Sequence, residues 1–294
     1  MKNFFKVVDI DDVYAHRASF PVVDSEMLPL VSAEGRVLAA AITADLDIPG
    51  FTRSTMDGYA LQGAATFGAT ESNPGYLTVV GSVAMGEQPG FRVGPGEAVR
   101  IATGGMLPQG ADDVMMIEHT EALDDNTIEI YKSVAPGQHV VAKGEEIALG
   151  QTLLTSGQQV RPQEAGLLAA MGCETVCVFR KPRIGIISTG DEVVPVAEVP
   201  GPGQIRDVNS TTLSAMTVAA GGQPRVYGIV QDNFERLKTT CARALAENDM
   251  VLISGGSSVG MRDFTIEAFE AQAEAQVMVH GVSTVSYTHL RAHE

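Results

Sequence analysis

Three features are scarce in this chain of 294 residues: long apolar runs, cysteine and positive charge. No apolar run reaches the roughly 18 residues that a membrane-spanning helix needs. The first residues, MKNFFKVVDIDD, combine a short apolar stretch with an early acidic run, which is atypical of a secretory signal. We therefore expect a cytoplasmic protein without a membrane span.

The three cysteines, Cys173, Cys177 and Cys241, are odd in number and contain no CxxC pair. This pattern argues against both a disulfide framework and a zinc site, and predicts reduced structural thiols. Cys241 lies four residues from both Leu237 and Leu245 in a predicted helix over residues 234–247. We expect these three side chains to share the buried face of that helix.

Lys and Arg number 20 against 36 Asp and Glu, which gives a net charge of −16. No basic patch is evident along the sequence, and this argues against nucleic-acid binding, which depends on clustered Lys and Arg. An anionic substrate would need a few placed cations or a metal ion held by carboxylates. The loops rich in Asp and Glu favour the metal ion.

The strongest structural pattern begins at residue 183. Three apolar segments, IGIIS (184–188), RVYGIV (225–230) and MVLIS (250–254), are typical of strands buried on both faces of a parallel sheet. Helical patterns over 209–220 and 234–247 separate them, so the order is β-α-β-α-β. Right-handed crossovers bring the three strand ends to one edge of the sheet, where open α/β sheets bind ligands.

The predicted edge combines carboxylates with a glycine-rich loop. Asp191 and Glu192 follow the first strand, Asp232 follows the second, and Asp263 lies beyond the third. The loop GGSSVG (255–260) lies between a strand and a predicted helix over 264–275, so its N–H groups can hold phosphate. It matches neither a Walker A loop nor the dinucleotide fingerprint, and a simple tight turn is the alternative. With the carboxylates, it predicts an anionic ligand bound through Mg²⁺.

Residues 76–132 predict a small all-β domain, because short β-branched runs alternate with Gly, Pro and Asp turns. The loop TGGMLPQGAD (103–112) is longer than most hairpin loops, so it is either functional or a hairpin connection. The segment RSTMDGYA (53–60) contains Asp57-Gly58, which is also a common turn dipeptide.

Shorter patterns complete the prediction. Helices are expected over 9–20 and 162–171, and strands over 174–179 and 277–279. Asn209 or Ser210 is expected to cap the helix that continues to Ala220. The pair Lys181-Pro182 marks a domain boundary.

Six motifs together resemble the MoeA family of molybdopterin molybdenumtransferases, to which the E domain of gephyrin also belongs. The similarity extends over roughly residues 9–283. The motifs are RSTMDGYA (53–60), EAVRIATGGMLPQGAD (97–112), GEEI (144–147), STGDE (188–192), QIRDVNS (204–210) and ISGGSSVGMRDF (253–264).

The resemblance implies a multi-domain protein of α/β and β class. It implies a MogA-like, doubly wound parallel α/β domain, a small β-rich domain and a linking α+β segment, with the family's C-terminal β-barrel domain absent. The expected ranges are an N-terminal helix (9–26) packing with the α/β domain, a linking domain (27–45 and 146–180), a β-rich domain (46–145), an α/β molybdopterin-binding domain (181–283) and a foreign or disordered tail (284–294).

The resemblance also implies the last step of molybdenum cofactor synthesis. In this Mg²⁺-dependent reaction, molybdate enters adenylylated molybdopterin and AMP is released. The implied catalytic residues are Asp57, Thr103, Glu146, Glu192, Asp232 and Asp263. The implied cofactor-binding residues are Thr189, Gly190, Asp207, Asn209, Ser254, Gly255, Gly256, Ser257, Ser258 and Gly260, and the metal ligands are Asp191, Glu192 and Asp232.

Members of the family are homodimers in which the β-rich domain of one subunit reaches the α/β domain of the other. A molybdopterin adenylyltransferase is a further expected partner. Two departures from the family pattern bear on activity. Glu146 replaces a common Asp, and from about residue 284 the sequence is unlike the family, whose lysine-containing motifs are missing. We therefore expect a C-terminally truncated and impaired enzyme.

Other functions remain open at this stage. A molybdopterin adenylyltransferase shares the α/β domain, although the β-rich segment with MDGYA argues against it. A non-catalytic binding or scaffold module would keep the fold without the chemistry. A competence-damage-type protein with a related domain is a further alternative.

Overall fold

The computed structural model describes residues 8–255, residue 268, residues 276–279 and residue 282. The helices are α1 (Ile10–Ala15), α2 (Pro162–Ala170), α3 (Asn209–Ala219) and α4 (Phe234–Glu247), with 3-10 helices at His16–Ser19, Leu30–Ser32, Gly63–Thr66 and Ile117–His119. The strands are β1 (Ser25–Pro29), β2 (Ile42–Thr43), β3 (Arg53–Ser54), β4 (Gly58–Leu61), β5 (Gly75–Val83), β6 (Glu97–Ile101), β7 (Asp113–Met116), β8 (Thr120–Ala122), β9 (Thr127–Ile130), β10 (Val140–Val141), β11 (Thr152–Leu154), β12 (Thr175–Phe179), β13 (Arg183–Thr189), β14 (Val193–Val194), β15 (Ile205–Arg206), β16 (Gln223–Val230) and β17 (Met250–Ser254).

The chain divides into two compact units. Unit 1 consists of Met1–Ala39, Gly157–Gly166 and Cys173–Glu294, and unit 2 consists of Ala40–Ser156 and Leu167–Gly172. No helix in the described part of the chain is both long and apolar enough to cross a membrane.

Unit 2 is built on a six-stranded sheet, which confirms the predicted β-rich region. The strand order is β7-β4-β6-β5-β9-β8, and β5 and β6 form its parallel pair. All four positions of β4 are buried, because alternate side chains enter two clusters. Leu61 packs with Met115 and Ile128 in one cluster, and Ala60 packs with Val99 in the other.

Unit 1 contains the predicted parallel sheet, with the order β16-β13-β17. The central strand β13 is buried at every position after Arg183, as expected for an apolar run covered on both faces. Helix α3 packs on β13 and β16, and helix α4 packs on all three strands. Strands β1 and β12 form a separate antiparallel pair in the same unit.

The buried face of α4 confirms one prediction and corrects another. Cys241 is fully buried and packs with Leu237, Ile187 and Val230, so it is a core residue. Leu245 is exposed, and Ala244 occupies the buried position instead. At 3.6 residues per turn, eight residues rotate the helix by about 80°, which turns Leu245 away from the face of Leu237.

Most other predicted elements are present. Helix α2 and strand β12 lie where the sequence predicts them, and the predicted N-terminal helix appears as α1 followed by a 3-10 turn. Residues 277–279 do not form the predicted strand, and Val277 and Met278 are exposed rather than packed in a sheet. Apart from the buried Ala268, the predicted helix over 264–275 lies outside the described residues.

Candidate functional site

Ser188 connects the strand ends at the carboxyl edge of the parallel sheet. Its hydroxyl donates to Oδ1 of Asp207 at 2.8 Å. The same Oγ lies 2.9 Å from Oγ of Ser210 and 3.2 Å from Oγ of Ser254. These contacts link β13, β17 and the start of α3, so three of the sequence motifs meet at one place.

Asp207 is buried at the centre of this network. Its Oδ1 accepts the backbone N–H of Ser210 at 3.0 Å. Burial opposes ionisation of the Asp207 carboxyl, but hydrogen bonds from Ser210, Ser188 and the N–H of Asn209 lower its pKa overall. The predicted cap at Asn209 or Ser210 is therefore wrong, because Asp207 accepts the N–H at the start of α3, while Asn209 is its exposed first residue.

Glycines with positive φ follow both β13 and β17. Gly255 has φ +105°, and a Cβ there would lie 2.3 Å from the carbonyl oxygen of Thr189. Gly190 has φ +134°, and a Cβ there would lie 2.7 Å from Oε2 of Glu192. The Thr189 hydroxyl donates to the carbonyl oxygen of Ser254 at 3.2 Å. The predicted loop residues Gly256, Ser257, Ser258 and Gly260 lie outside the described residues.

Three carboxylates gather beside this network. The backbone N–H of Asp232 donates to Oδ1 of Asp191 at 3.1 Å. Partial burial of the Asp232 carboxyl, together with the negative charges of Asp191 and Glu192, raises its pKa. Asp263, the fourth predicted carboxylate, lies outside the described residues. Among the described residues, no group of three or more His, Cys, Asp or Glu side chains is arranged so that it could hold a metal ion.

A large cleft opens along β16, between the starts of α3 and α4. Its volume is about 1060 Å³, and its lining includes Asp207, Ser210, Gln231, Glu235 and Arg236. The three clustered carboxylates do not line this cleft. It is continuous with the buried network at Asp207 rather than with the carboxylate cluster.

In unit 2, Asp57 and Thr103 are in direct contact. Oδ1 of Asp57 accepts the backbone N–H of Thr103 at 2.7 Å and its hydroxyl at 2.9 Å. These two bonds lower the pKa of Asp57, the backbone bond more than the hydroxyl bond. The contact between Asp57 and Thr103 depends on the position of the loop 103–112.

That loop is attached to strand β3 by backbone hydrogen bonds. The N–H of Gly104 donates to the carbonyl of Ser54 at 2.8 Å, and the N–H of Ser54 donates to the carbonyl of Gly105 at 3.0 Å. Gly58 lies inside β4 rather than in a turn, and a Cβ there would lie 1.9 Å from the carbonyl oxygen of Met115. Residue 58 must therefore be glycine because strand β4 packs closely against β7, and not because the chain turns there.

Glu146 is attached to the same strand through a different residue. Its Oε1 pairs with the Arg53 guanidinium at 2.8 Å, and both side chains are exposed, so the pair contributes little to stability. Strand β3 is thus bonded both to the loop 103–112, through Ser54, and to Glu146, through Arg53.

Replacing Thr103 by Val is expected to raise the pKa of Asp57 toward its ordinary value. The variant keeps the stronger backbone N–H bond but loses the hydroxyl donor, so the pKa should rise only in part. Carbon-detected NMR titration of the Asp57 carboxyl measures this. Thr103→Ser is the matched control and should leave the titration unchanged. An equal shift in both variants would show that the hydroxyl does not matter.

Three residues at these sites, Ser188, Ser210 and Arg100, are not among the predicted site residues. Ser188 and Ser210 belong to the buried network, and Arg100 lines a cavity of about 420 Å³ together with Asp57. A serine inside an otherwise apolar buried strand was the available signal for Ser188. Arg100 carried no comparable signal, because an exposed arginine in a strand is common.

Two family models match the chain. The model "MoeA N-terminal region (domain I and II)" matches residues 8–172, which is 165 of the 294 residues. The model "Probable molybdopterin binding domain" matches residues 185–288. The first match covers unit 2 and the second covers the parallel sheet.

Named relatives and solved structures agree with these matches. A molybdopterin molybdenumtransferase of a Nostoc species is 38% identical over 88% of this chain and 59% of its own length. The Bacillus subtilis protein of the same name is 35% identical over 84% of this chain and 58% of its own length. A crystal structure of a molybdopterin biosynthesis MoeA protein from Pyrococcus horikoshii has TM-score 0.79 at 39% identity, covering 94% of this chain and 69% of the other. The chain thus spans about 60% of the length of the two molybdenumtransferases.

Proposed function

Because this chain belongs to the MoeA family, we propose that it acts in molybdenum cofactor synthesis, where molybdate is inserted into adenylylated molybdopterin and AMP is released. The observation that carries the proposal is the cluster of Asp191, Glu192 and Asp232 at the carboxyl edge of the parallel sheet. Burial first, and then the negative charges of Asp191 and Glu192, raise the pKa of Asp232, so like charges repel each other in this cluster. A bound cation would relieve that repulsion.

The donor chemistry of the cluster suits Mg²⁺. This ion is usually held by only one or two carboxylates, with waters and substrate phosphates completing its shell. A cluster without a complete set of protein ligands is therefore compatible with a magnesium site that the substrate completes. One or two of the carboxylates of Asp191, Glu192 and Asp232 would hold the ion, which when bound would neutralise and polarise the pyrophosphate of the substrate.

The chain's own residues would position the rest of the substrate. The buried hydroxyls of Ser188 and Ser210, anchored by the Asp207 carboxylate, hold the ends of β13 and β17 and the start of α3 in register. Gly255 is required by the close approach of Thr189, which keeps the ends of β13 and β17 together. Within unit 2, Asp57 is oriented by two bonds from Thr103, and the cationic Arg100 lines a cavity together with Asp57.

Membership of the family also supports a homodimer in the cytoplasm that receives its substrate from a molybdopterin adenylyltransferase. Light scattering coupled to gel filtration tests the dimer. A mass near twice 31.0 kDa is expected, and a monomer at micromolar concentration would oppose it.

Equilibrium binding of adenylylated molybdopterin to the purified chain, with Mg²⁺ or with excess EDTA, tests the proposed function. Binding should require Mg²⁺, and free AMP should appear by chromatography only when molybdate is added. Binding without AMP release would instead indicate a non-catalytic binding module. The absence of any Mg²⁺-dependent binding would contradict both functions.

A further inference from the structure

A second candidate site lies at the opposite end of the parallel sheet, where β13 and β16 begin. A cavity of about 400 Å³ is lined by Glu26, Arg36, Arg180, Lys181, Arg183 and Gln223. Four of these six residues are cationic and one is anionic, in a chain whose net charge is −16. Three of these cations, Arg180, Lys181 and Arg183, lie within four residues of the sequence, and folding adds Arg36 to them.

Two of the cations are fixed in the cavity wall. Arg180 donates through both terminal nitrogens to the two oxygens of Asp249, at 2.6 Å each. The Arg36 side chain is only 10% exposed, pairs with Glu26 and donates to the carbonyl of Phe179 at 2.7 Å. Side chains held in this way lose little conformational entropy when a ligand binds.

The other two cations are available to a ligand. Lys181 and Arg183 are exposed. Within the described part of the chain, neither side chain forms an ion pair or a hydrogen bond. The Arg183 backbone N–H is bonded to Asp249 at 2.7 Å, which fixes the base of this side chain. The pKa of the Asp249 carboxyl is lowered first by Arg180 and also by the charge of Arg183, so the Arg183 side chain lies near this carboxylate without a hydrogen bond to it.

We propose that this cavity binds a small tetrahedral dianion of the class that includes sulfate, phosphate and molybdate. Two available cations match two negative charges, and guanidinium groups donate paired hydrogen bonds to tetrahedral oxyanions. The negative charge of the rest of the chain does not prevent the binding of a dianion in this cavity. At physiological salt the Debye length is about 8 Å, so distant carboxylates are screened. Four cations around a small cavity do not form the extended track that nucleic acid requires.

Isothermal titration of the full chain with sulfate, phosphate and molybdate tests the site, with chloride at matched ionic strength as the reference. We expect saturable binding of all three dianions and none of chloride. The double variant K181Q/R183Q should weaken binding about tenfold or more, since two charge-assisted hydrogen bonds are lost. The variant R92Q/K132Q removes the same charge from unit 2 and should bind like the parent.

This comparison separates site binding from other effects of anions. Sulfate and phosphate stabilise proteins non-specifically by exclusion from their surfaces, but exclusion does not saturate and acts equally on both double variants. Circular dichroism checks that both variants are folded. Equal weakening in the two variants, or no saturable binding to the parent, would overturn the proposal. Binding of molybdate alone would replace the general dianion site with a molybdate-specific one.

Discussion

Asp232→Asn is expected to remove Mg²⁺-dependent ligand binding while slightly stabilising the protein near neutral pH. Partial burial and the charges of Asp191 and Glu192 already raise the pKa of Asp232, so its ionised form is disfavoured in the folded state. The amide removes that repulsion but also removes one of the charges that would hold the cation. Losing an outer-shell group at a metal site typically costs about 10–100-fold in affinity, and we expect at least this loss here.

The pH dependence of stability gives the same prediction a second readout. A carboxyl whose folded pKa is raised binds its proton more tightly in the folded state. The Asp232 carboxyl therefore lowers the stability of the protein as the pH rises from the ordinary pKa of Asp through the raised pKa of the folded state. Asp232→Asn should abolish this fall in stability. Above this pH range the variant should be only slightly more stable than the parent, because residue 232 is exposed.

Thermal unfolding with and without Mg²⁺ measures the effects of this substitution, alongside titration of adenylylated molybdopterin. Asp125→Asn, at an exposed turn of unit 2, is the matched control and should behave like the parent in every assay. A variant that still binds the ligand in a Mg²⁺-dependent manner would show that the cluster does not hold the cation.

The parallel sheet could be predicted from the sequence because its signal is local. Each strand is an apolar run, and the helices between them force the strands to be parallel. The carboxylates and Gly255 follow those runs directly, so their arrival at one edge follows from topology alone. The family resemblance, rather than topology, named Asp57 and Thr103 as catalytic candidates, and it did not predict that the two residues touch.

What could not be predicted depends on partners that are distant in sequence. Ser188 and Asp207 are 19 residues apart, and no periodicity links a strand serine to an aspartate before a helix. The requirement for Gly58 arises from the carbonyl of Met115 on a neighbouring strand, whereas the local dipeptide indicated a turn. The cavity at residues 180–183 is likewise completed by folding, which brings Glu26, Arg36 and Gln223 to it.

Asp207→Ala is expected to cause the largest loss of stability of any substitution considered. The carboxylate is buried, and its Oδ1 accepts two hydrogen bonds, from Ser188 Oγ and from the N–H of Ser210. Hydrogen bonds to a charged group contribute about 1.5–3 kcal/mol each, so we expect a loss of about 3 kcal/mol or more. Ser188→Ala removes one of these two bonds to the carboxylate and should cost about 1.5–3 kcal/mol.

The pH dependence of the Asp207 effect has the opposite sign to that of Asp232. Because the folded pKa of Asp207 is lowered, its stabilising contribution is complete above the ordinary Asp pKa and is lost as pH falls through the folded value. Asp207→Asn keeps an acceptor but loses the charge, so its stability should fall less steeply in acid than that of the parent. Hydrogen exchange of amides in β13 and α3 reports the opening of this region separately from unit 2. If Asp207→Ala exchanges no faster than Asp125→Asn, the network at the sheet edge does not hold these elements together.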